Sequence, residues 1–271
     1  MKHCWVFLLL LALPAGAFKL GPQSAREAAL YKTFVEGLYA QRDNSPEALV
    51  LFEKALSLAP DSAYLKRNIV ATAIMQNRLP EVEKYADFIT PEADEDDWTV
   101  RAAYLLKQQQ VPAAKEAYQK ALELSPEDAR IAYQYLLLLA YEGTPQAVEE
   151  MQNLAEKVPA LAPAVYVELG KHYWRMKDPQ KALTFYNKAT DLDPEYEDAY
   201  LGRAELFERT SNFFFMLREY EQLEKLGYQS ADMYTRMGSV YLVGKDLENA
   251  QKYYQKAAQT DPRDVNANYF L

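Results

Sequence analysis

Cysteine, histidine and glycine are scarce in this sequence. Its 271 residues include one cysteine, two histidines and nine glycines. A single thiol cannot form an internal disulfide, so stability has to come from packing. Beyond position 17 the only histidine or cysteine is His172, so no second one exists to complete a zinc site or a thiol–imidazole pair. We therefore predict no catalytic residue, no metal ligand and no cofactor.

Positive charge is also in short supply. The chain has 30 Lys and Arg against 39 Asp and Glu, a net charge of −9. Binding to a phosphate backbone requires clustered basic residues, so nucleic acid is not an expected partner. The sequence also lacks a phosphate-binding Gly-x-x-x-x-Gly-Lys loop and a nucleophile Gly-x-Ser-x-Gly elbow. These absences favour a protein that is not an enzyme.

The segment 1–17 has the layout of a secretory signal peptide. Lys2 precedes an apolar run at 5–13, Pro14 interrupts it, and small residues follow at 15–17. The run is too short to cross a bilayer well, so we expect cleavage after Ala17 and no stable membrane span in the mature protein. No cysteine and no glycosylation sequon remain beyond this point, which favours a bacterial envelope. The predicted location is periplasmic or secreted.

The remainder of the chain repeats itself. Pro126, Pro194 and Pro262 are evenly spaced, and each closes a similar phrase that begins with alanine. Aromatic residues at 98, 166, 200 and 234 keep the same register. The spacings are multiples of a period of about 34 residues, which is typical of stacked helix–turn–helix units.

The repeats resemble the tetratricopeptide repeat family residue by residue. That family places an aromatic residue, Leu-Gly and Tyr on a first helix, and Ala, an aromatic residue, Ala and Pro on a second. One copy has these residues at Tyr166, Leu169, Gly170, Tyr173, Ala182, Tyr186, Ala189 and Pro194, and another at Tyr234, Met237, Gly238, Tyr241, Ala250, Tyr254, Ala257 and Pro262. The resemblance implies an all-α, right-handed superhelical α-solenoid of tandem helix–turn–helix repeats.

This register divides the chain into a signal peptide, a lead-in and an array. The boundaries are 1–17 for the signal peptide, 18–28 for the lead-in, 29–62, 63–94, 95–128, 129–162, 163–196, 197–230 and 231–264 for seven repeats, and 265–271 for a partial eighth. The second repeat is shorter than the others and matches the pattern weakly. Small residues such as Gly170 should let paired helices approach closely, with large tyrosines filling the space around them.

In proteins that this chain resembles, the first helices line a concave groove that holds a peptide or a partner helix. Transferred to this chain, the groove positions include Tyr133, Tyr141, Lys171, Trp174, Arg175 and Arg236. Lys171, Trp174 and Arg175 share one helical face, and Trp and Arg dominate binding hot spots. The alternative for Trp174 is simple packing against the next helix.

Three other features have structural explanations. His172 is expected at the surface or in the groove. The acidic run at 92–97 is expected to be a solvated helix cap, because negative charge favours a helix N-terminus. In the run Phe213-Phe214-Phe215, successive side chains point about 100° apart, so they cannot all face one core. Phe213 is expected in the core, and Phe214 or Phe215 is expected either exposed as a contact site or wedged against the adjacent repeat.

The resemblance and the export signal together indicate a non-catalytic scaffold or adaptor of the bacterial cell envelope, which binds a protein partner in the groove. An alternative is a periplasmic receptor or regulatory domain that binds a glycan or small ligand through Tyr133, Tyr141 and Trp174. A carboxylate-based hydrolase is the least favoured possibility.

Overall fold

The computed structural model describes residues 24–81, 83–88, 90 and 92–270. The predicted signal peptide and residues 18–23 of the predicted lead-in lie outside this part of the chain. All regular secondary structure in the described residues is helical. The residues form two compact units, one ending at Pro126 and the other beginning at Glu127.

Five α-helices lie in the described part of the first unit. They are α1 (Ala25–Arg42), α2 (Glu47–Leu58), α3 (Ala63–Gln76), α4 (Glu95–Lys107) and α5 (Val111–Leu124). Consecutive helices pack against each other along the chain. Helix α1 begins at Ala25, so residues 25–28 of the predicted lead-in are already helical, and Ser24 caps them by accepting a hydrogen bond from the Glu27 amide.

The described part of the second repeat forms no second α-helix. Two 3₁₀ turns, Leu79–Glu81 and Glu83–Tyr85, stand in its place. Phe88 is buried beyond them, in a cluster with Val70 and Val100. This segment was the weakest match to the repeat pattern, and it fills the space beside α3 with irregular chain rather than with a helix.

Nine α-helices lie in the described part of the second unit. They are α6 (Ala129–Glu142), α7 (Pro145–Lys157), α8 (Ala162–Arg175), α9 (Pro179–Leu192), α10 (Glu197–Arg209), α11 (Phe213–Lys225), α12 (Ala231–Val243), α13 (Leu247–Thr260) and the short α14 (Val265–Phe270). The pairs α8–α9, α10–α11 and α12–α13 pack most extensively. The ring of Phe270 stacks on Tyr254 with centroids 4.7 Å apart, which attaches α14 to α13.

Side-chain caps explain where several of these helices begin. Asp128, Thr144, Asp178 and Asp246 accept hydrogen bonds from main-chain N–H groups in the first turns of α6, α7, α9 and α13. These N–H groups have no partner within the helix, so each cap stabilises its helix. Proline stands at the first position of α7 and α9 and also favours a helix N-terminus. Its fixed φ suits the helix, and the N–H that it lacks would have no partner within the helix there.

One residue with positive φ follows the first helix of each repeat. The residues are Asn44, Asn77, Gln109, Gly143, Lys177, Ser211 and Lys245, with φ from 50° to 64°. From Gln109 onward they are evenly spaced, so the turn recurs with the period of the sequence. The left-handed conformation lets the chain reverse over a short stretch, at some steric cost where the residue is not glycine.

Close contacts between glycine and aromatic rings hold the helix pairs together. A β-carbon added to Gly170 of α8 would lie 2.5 Å from Cε1 of Tyr186 in α9, far inside contact distance. Gly238 and Tyr254 repeat this arrangement in α12 and α13, at 3.0 Å. The expected role of Gly170, close approach with a large tyrosine beside it, is therefore confirmed.

Candidate functional site

Helix α6 presents an uncovered apolar face. Tyr133, Leu137 and Tyr141 are spaced at i, i+4 and i+8, so they lie on one side of the helix, and all three are exposed. Tyr141 retains 79% of its accessible surface. Ile131 and Leu139 are buried in the core. Helix α6 thus has one apolar face in the core and a second apolar face in solvent, and the second face is available to a partner.

The predicted cluster on α8 is less available than the sequence suggested. Lys171 is exposed and forms an ion pair with Glu168, with Nζ 2.8 Å from Oε1. Trp174 is half-buried against the core cluster that contains Tyr186, as the packing alternative expects. Arg175 donates a hydrogen bond from Nη2 to the carbonyl oxygen of Ala140, 3.0 Å away, and so ties α8 to the end of α6. Lys171 and Arg175 are both exposed, whereas Trp174 is not.

Arg236 lies in a cleft between α10 and α12. The cleft has a volume of about 610 Å³ and is lined by Leu201, Glu205, Glu208, Arg209, Tyr220, Asp232 and Arg236. Arg236 donates to Asp232 at 2.8 Å and to Glu208 at 2.5 Å, bridging the two helices. The hydrogen bond to Asp232 and the nearby carboxylates raise the pKa of Arg236, so its positive charge is firmly held.

Two partly buried tyrosines, Tyr196 and Tyr220, lie near charged side chains of the second unit. Burial raises the pKa of Tyr220 to about 12. The charge of Arg236 opposes this shift, and the carboxylates of the cleft add to it. Burial also raises the pKa of Tyr196 to about 12, with smaller contributions from Asp198, Tyr133 and Glu168. Both phenols stay protonated at neutral pH and can donate hydrogen bonds. They are unsuited to acting as bases, which would need a pKa near the working pH.

His172 is not a groove residue, contrary to the expectation from sequence. It is buried beside the turn at Gly143, where an added β-carbon would lie 3.6 Å from Nδ1, and its ring meets Tyr173 edge-on. Burial, assisted by the charge of Arg175, lowers its pKa. These contacts indicate that His172 has a packing role. Within the described ranges no group of three or more His, Cys, Asp or Glu side chains is arranged to hold a metal ion.

The acidic run caps a helix, but it is not fully solvated. Asp94 and Asp97 form a reciprocal capping box at the start of α4. Arg67 of α3 donates from Nη1 to both, at 2.6 Å and 3.0 Å. Asp97 and Arg67 are buried. The run thus fixes α4 against α3 through an ion pair that sequence reasoning did not foresee.

The three phenylalanines at the start of α11 are all exposed. Phe213 retains 42%, Phe214 68% and Phe215 47% of its accessible surface. The expectation that Phe213 fills the core is wrong, since Met216 is the completely buried residue of this turn. The ring of Phe215 contacts Phe207 of α10, with centroids 5.3 Å apart.

Comparison with known proteins agrees with the helical architecture. Tetratricopeptide repeat models match residues 163–196 and, in a second version, 98–128 and 231–264. Stress-induced-phosphoprotein 1 of Caenorhabditis elegans is 25% identical over 239 residues, which span 84% of this chain and 72% of that protein. Three stretches of the chain therefore match tetratricopeptide repeats.

Solved tetratricopeptide repeat structures share the fold. The C-terminal part of a repeat protein from Cytophaga hutchinsonii superposes with a TM-score of 0.62 at 20% identity, covering 88% of this chain and 99% of that one. YrrB, described as a repeat protein with an unusual peptide-binding site, gives a TM-score of 0.51 at 20% identity, covering 66% and 98%. At these identities the likeness concerns the fold alone.

The predicted groove positions fall on the first helices of the repeats in the second unit. The structure divides them into three groups: Tyr133 and Tyr141 on the apolar face of α6, Lys171, Trp174 and Arg175 on α8, and Arg236 in the cleft between α10 and α12. Sequence reasoning missed Leu201, Tyr220 and Asp232 as members of this cleft. Asp232 occupies the second position of its repeat, so the groove pattern could have found it. Tyr220 belongs to a second helix, and only the three-dimensional packing brings it there.

Among the described residues no helix is both long and apolar enough to span a bilayer.

Proposed function

We propose that this repeat protein is a non-catalytic scaffold of the bacterial cell envelope, and that it holds a partner peptide or helix against the first helices of its second unit. Tetratricopeptide repeats in general bind other proteins rather than perform chemistry. The observation that carries the proposal is the exposed Tyr133–Leu137–Tyr141 face of α6.

The chemistry of this surface suits a peptide better than a small ligand. The α6 face offers aromatic area, which contributes strongly to binding at low entropic cost. The cleft between α10 and α12 adds carboxylates and the guanidinium groups of Arg209 and Arg236 as polar groups for a bound segment. Of the three residues named for the glycan alternative, Tyr133 and Tyr141 are exposed, whereas Trp174 is half-buried.

Site-specific crosslinking tests the proposal. A photoreactive amino acid placed at Tyr141 is expected to capture a discrete protein partner in the source cell. The matched control places it at Leu192, which is also exposed but lies at the end of α9, a second helix. Equal capture at both positions would argue against a specific surface on α6.

Export is the second part of the proposal, and it is supported by the signal layout of residues 1–17. The mass of the protein recovered from the periplasmic fraction should correspond to a chain that starts at Phe18. Recovery of the intact chain from the cytoplasm would contradict it.

A further inference from the structure

Two buried tyrosines direct their hydroxyls towards the face formed by the first helices. Tyr186 of α9 and Tyr220 of α11 occupy the same position of successive repeats, and both side chains are more than nine-tenths buried. The ring of Tyr186 passes between α8 and α10, with Cζ 2.9 Å from a β-carbon added to Gly170 and 2.7 Å from one added to Gly202. The end of the ring that carries the hydroxyl therefore lies between two first helices.

The carboxylate of Glu205 acts on both hydroxyls. Burial raises the pKa of Tyr186, and the negative charges of Glu205 and Glu168 raise it further. Tyr220 lines the cleft between α10 and α12, where burial is again the main cause of a raised pKa. Arg236 opposes that shift, and Glu205 is among the carboxylates that add to it. Glu205 is thus the charged residue that the two tyrosines share.

Neither hydroxyl has a hydrogen-bond partner among the residues that the structure describes. Buried polar side chains are normally hydrogen-bonded, and a phenol oxygen can both donate and accept. The equivalent tyrosine of the next repeat, Tyr254, has a partner, because its hydroxyl lies 3.1 Å from Oγ of Ser239. Ser239 occupies the position that Glu205 has one repeat earlier. The contact that closes the last repeat is therefore open at Tyr220, where Glu205 takes the place of the serine.

Glu205 is accessible to a partner. It forms an i,i+4 ion pair with Arg209, Nε to Oε1 at 3.0 Å, in which both side chains are more than half exposed. Exposed pairs of this kind contribute little stability, so an incoming cation can displace Arg209 at small cost. The preceding repeat already binds an ammonium group on this face, since Nζ of Lys171 lies 2.8 Å from Oε1 of Glu168.

A line of equivalent positions connects Glu205 with the apolar face of α6. Leu137, Lys171 and Glu205 are evenly spaced in the sequence and stand on α6, α8 and α10. Helix α8 contacts both of the other two helices. A segment that crosses the three helices meets an apolar surface at one end and a carboxylate at the other. A peptide can carry apolar side chains and a positive charge together, which a small cation cannot.

We infer that Glu205 and the hydroxyls of Tyr186 and Tyr220 form a subsite for a lysine or arginine side chain, and hence that the bound partner is a basic peptide. The inference rests on the proposed function, because it places this side chain on the segment whose apolar residues contact α6. An ammonium or guanidinium group donates several hydrogen bonds and accepts none, and the three side chains offer it acceptors. Both rings are fixed by packing, so the subsite loses little entropy when it is occupied.

The charge of the cleft agrees with a cationic occupant. Its lining has three carboxylates against two guanidinium groups, and each of the two, Arg209 and Arg236, is already paired with carboxylates of the cleft. The chain as a whole carries a net charge of −9. Both the local and the overall charge therefore favour a positively charged segment.

Selection from a random peptide library tests the predicted chemistry with the full chain. Peptides retained by the protein should combine aromatic or aliphatic residues with lysine or arginine. Parallel selection on Glu205→Gln should lose the preference for basic residues and keep the apolar one. Retained peptides with no preference for basic residues, or with a preference for acidic ones, would overturn the inference.

Calorimetry with one selected peptide measures the subsite itself. Glu205→Gln in the protein, or norleucine in place of the lysine of the peptide, should each raise the dissociation constant roughly tenfold, and both changes together should raise it no further. Tyr186→Phe/Tyr220→Phe keeps both rings and should weaken the lysine peptide but not the norleucine peptide. Glu149→Gln, at an exposed position of the second helix α7, is the matched control and should change nothing.

The outcomes separate this inference from the proposed function. Independent, multiplying losses from Glu205→Gln and norleucine would overturn the subsite, and so would free spermidine that binds as tightly as the lysine peptide. An unchanged dissociation constant for Glu205→Gln, with binding still lost in Tyr133→Ser/Tyr141→Ser, would overturn the subsite and leave the α6 surface intact. Binding that requires Glu205 but neither Tyr133 nor Tyr141 would support the subsite and contradict docking on α6.

Discussion

Gly170 shows how a single residue sets the distance between two helices. The absence of a side chain lets α8 approach the ring of Tyr186 very closely. A β-carbon added to Gly170 would lie only 2.5 Å from Cε1 of that ring. Gly202 of α10 meets the same ring from the following repeat, also at 2.5 Å. Tyr186 is therefore enclosed between two glycine-containing helices, and burial raises its pKa.

Gly170→Ala is expected to lower the free energy of unfolding by about 1–3 kcal/mol, because the added carbon forces Tyr186 or the helix pair to shift. Urea denaturation measures the change. Gly244→Ala is the control, since a β-carbon there would meet its nearest neighbours at an ordinary 3.5 Å. Equal stability of the two variants would show that α8 and α9 are not so closely packed.

Sequence reasoning at this scale succeeded where a residue repeats and failed where it does not. The glycine–tyrosine contacts recur with the period, so a pattern could reveal them. Arg175 and His172 occur once, and their partners, Ala140 and the turn at Gly143, lie in the preceding repeat. Nothing local in the sequence indicates such partners.

The helices follow the repeat register in most of the chain. Helices α3, α4, α6, α10 and α12 begin at the residues where repeats were expected to start, 63, 95, 129, 197 and 231. Capping residues and prolines determine many helix ends locally, which is why the sequence can predict them. The irregular segment after α3 and the exposed start of α11 could not be predicted. Both depend on tertiary packing that differs from the packing expected of the repeat pattern.

The cap of α9 offers a test at the scale of the element. Asp178 accepts a hydrogen bond from the amide of Lys181 at 3.0 Å. Asp178→Ala is expected to cost about 1 kcal/mol of stability, the usual contribution of an N-cap. Asp191→Ala changes an exposed aspartate in the last turn of the same helix and should have a much smaller effect. The difference between the two in chemical denaturation measures the cap, and an equal loss would contradict it.

Buried tyrosines give the whole molecule a characteristic response to alkali. Burial raises the pKa of Tyr118 and Tyr220 to about 12, from an ordinary value of 10.0. Above pH 10 the unfolded chain releases these protons while the folded chain keeps them. The stabilisation is therefore fully present below pH 10 and is lost as the pH rises towards 12.

Tyr118 is almost fully buried, which makes it a suitable position at which to test the effect. We expect the free energy of unfolding to fall by about 2 kcal/mol per such tyrosine between pH 10 and pH 12. Tyr118→Phe should make the fall shallower, whereas Tyr39→Phe, at an exposed position of α1, should leave it unchanged. Denaturation at a series of pH values measures how steeply the free energy of unfolding falls with pH. An identical fall for both variants would show that the ionisation of Tyr118 does not cause it.

The architecture places many tyrosines in the core and leaves Tyr133 and Tyr141 exposed on a first helix of the second unit. These two residues and the cleft at Arg236 are the positions proposed to contact a protein partner. The most direct test is the affinity of the partner captured at Tyr141, measured by calorimetry with purified proteins. Tyr133→Ser/Tyr141→Ser should raise the dissociation constant at least tenfold, about 1.4 kcal/mol, while Leu192→Ser should leave it unchanged. An unaltered dissociation constant for the double variant, with its fold intact, would contradict binding at this surface.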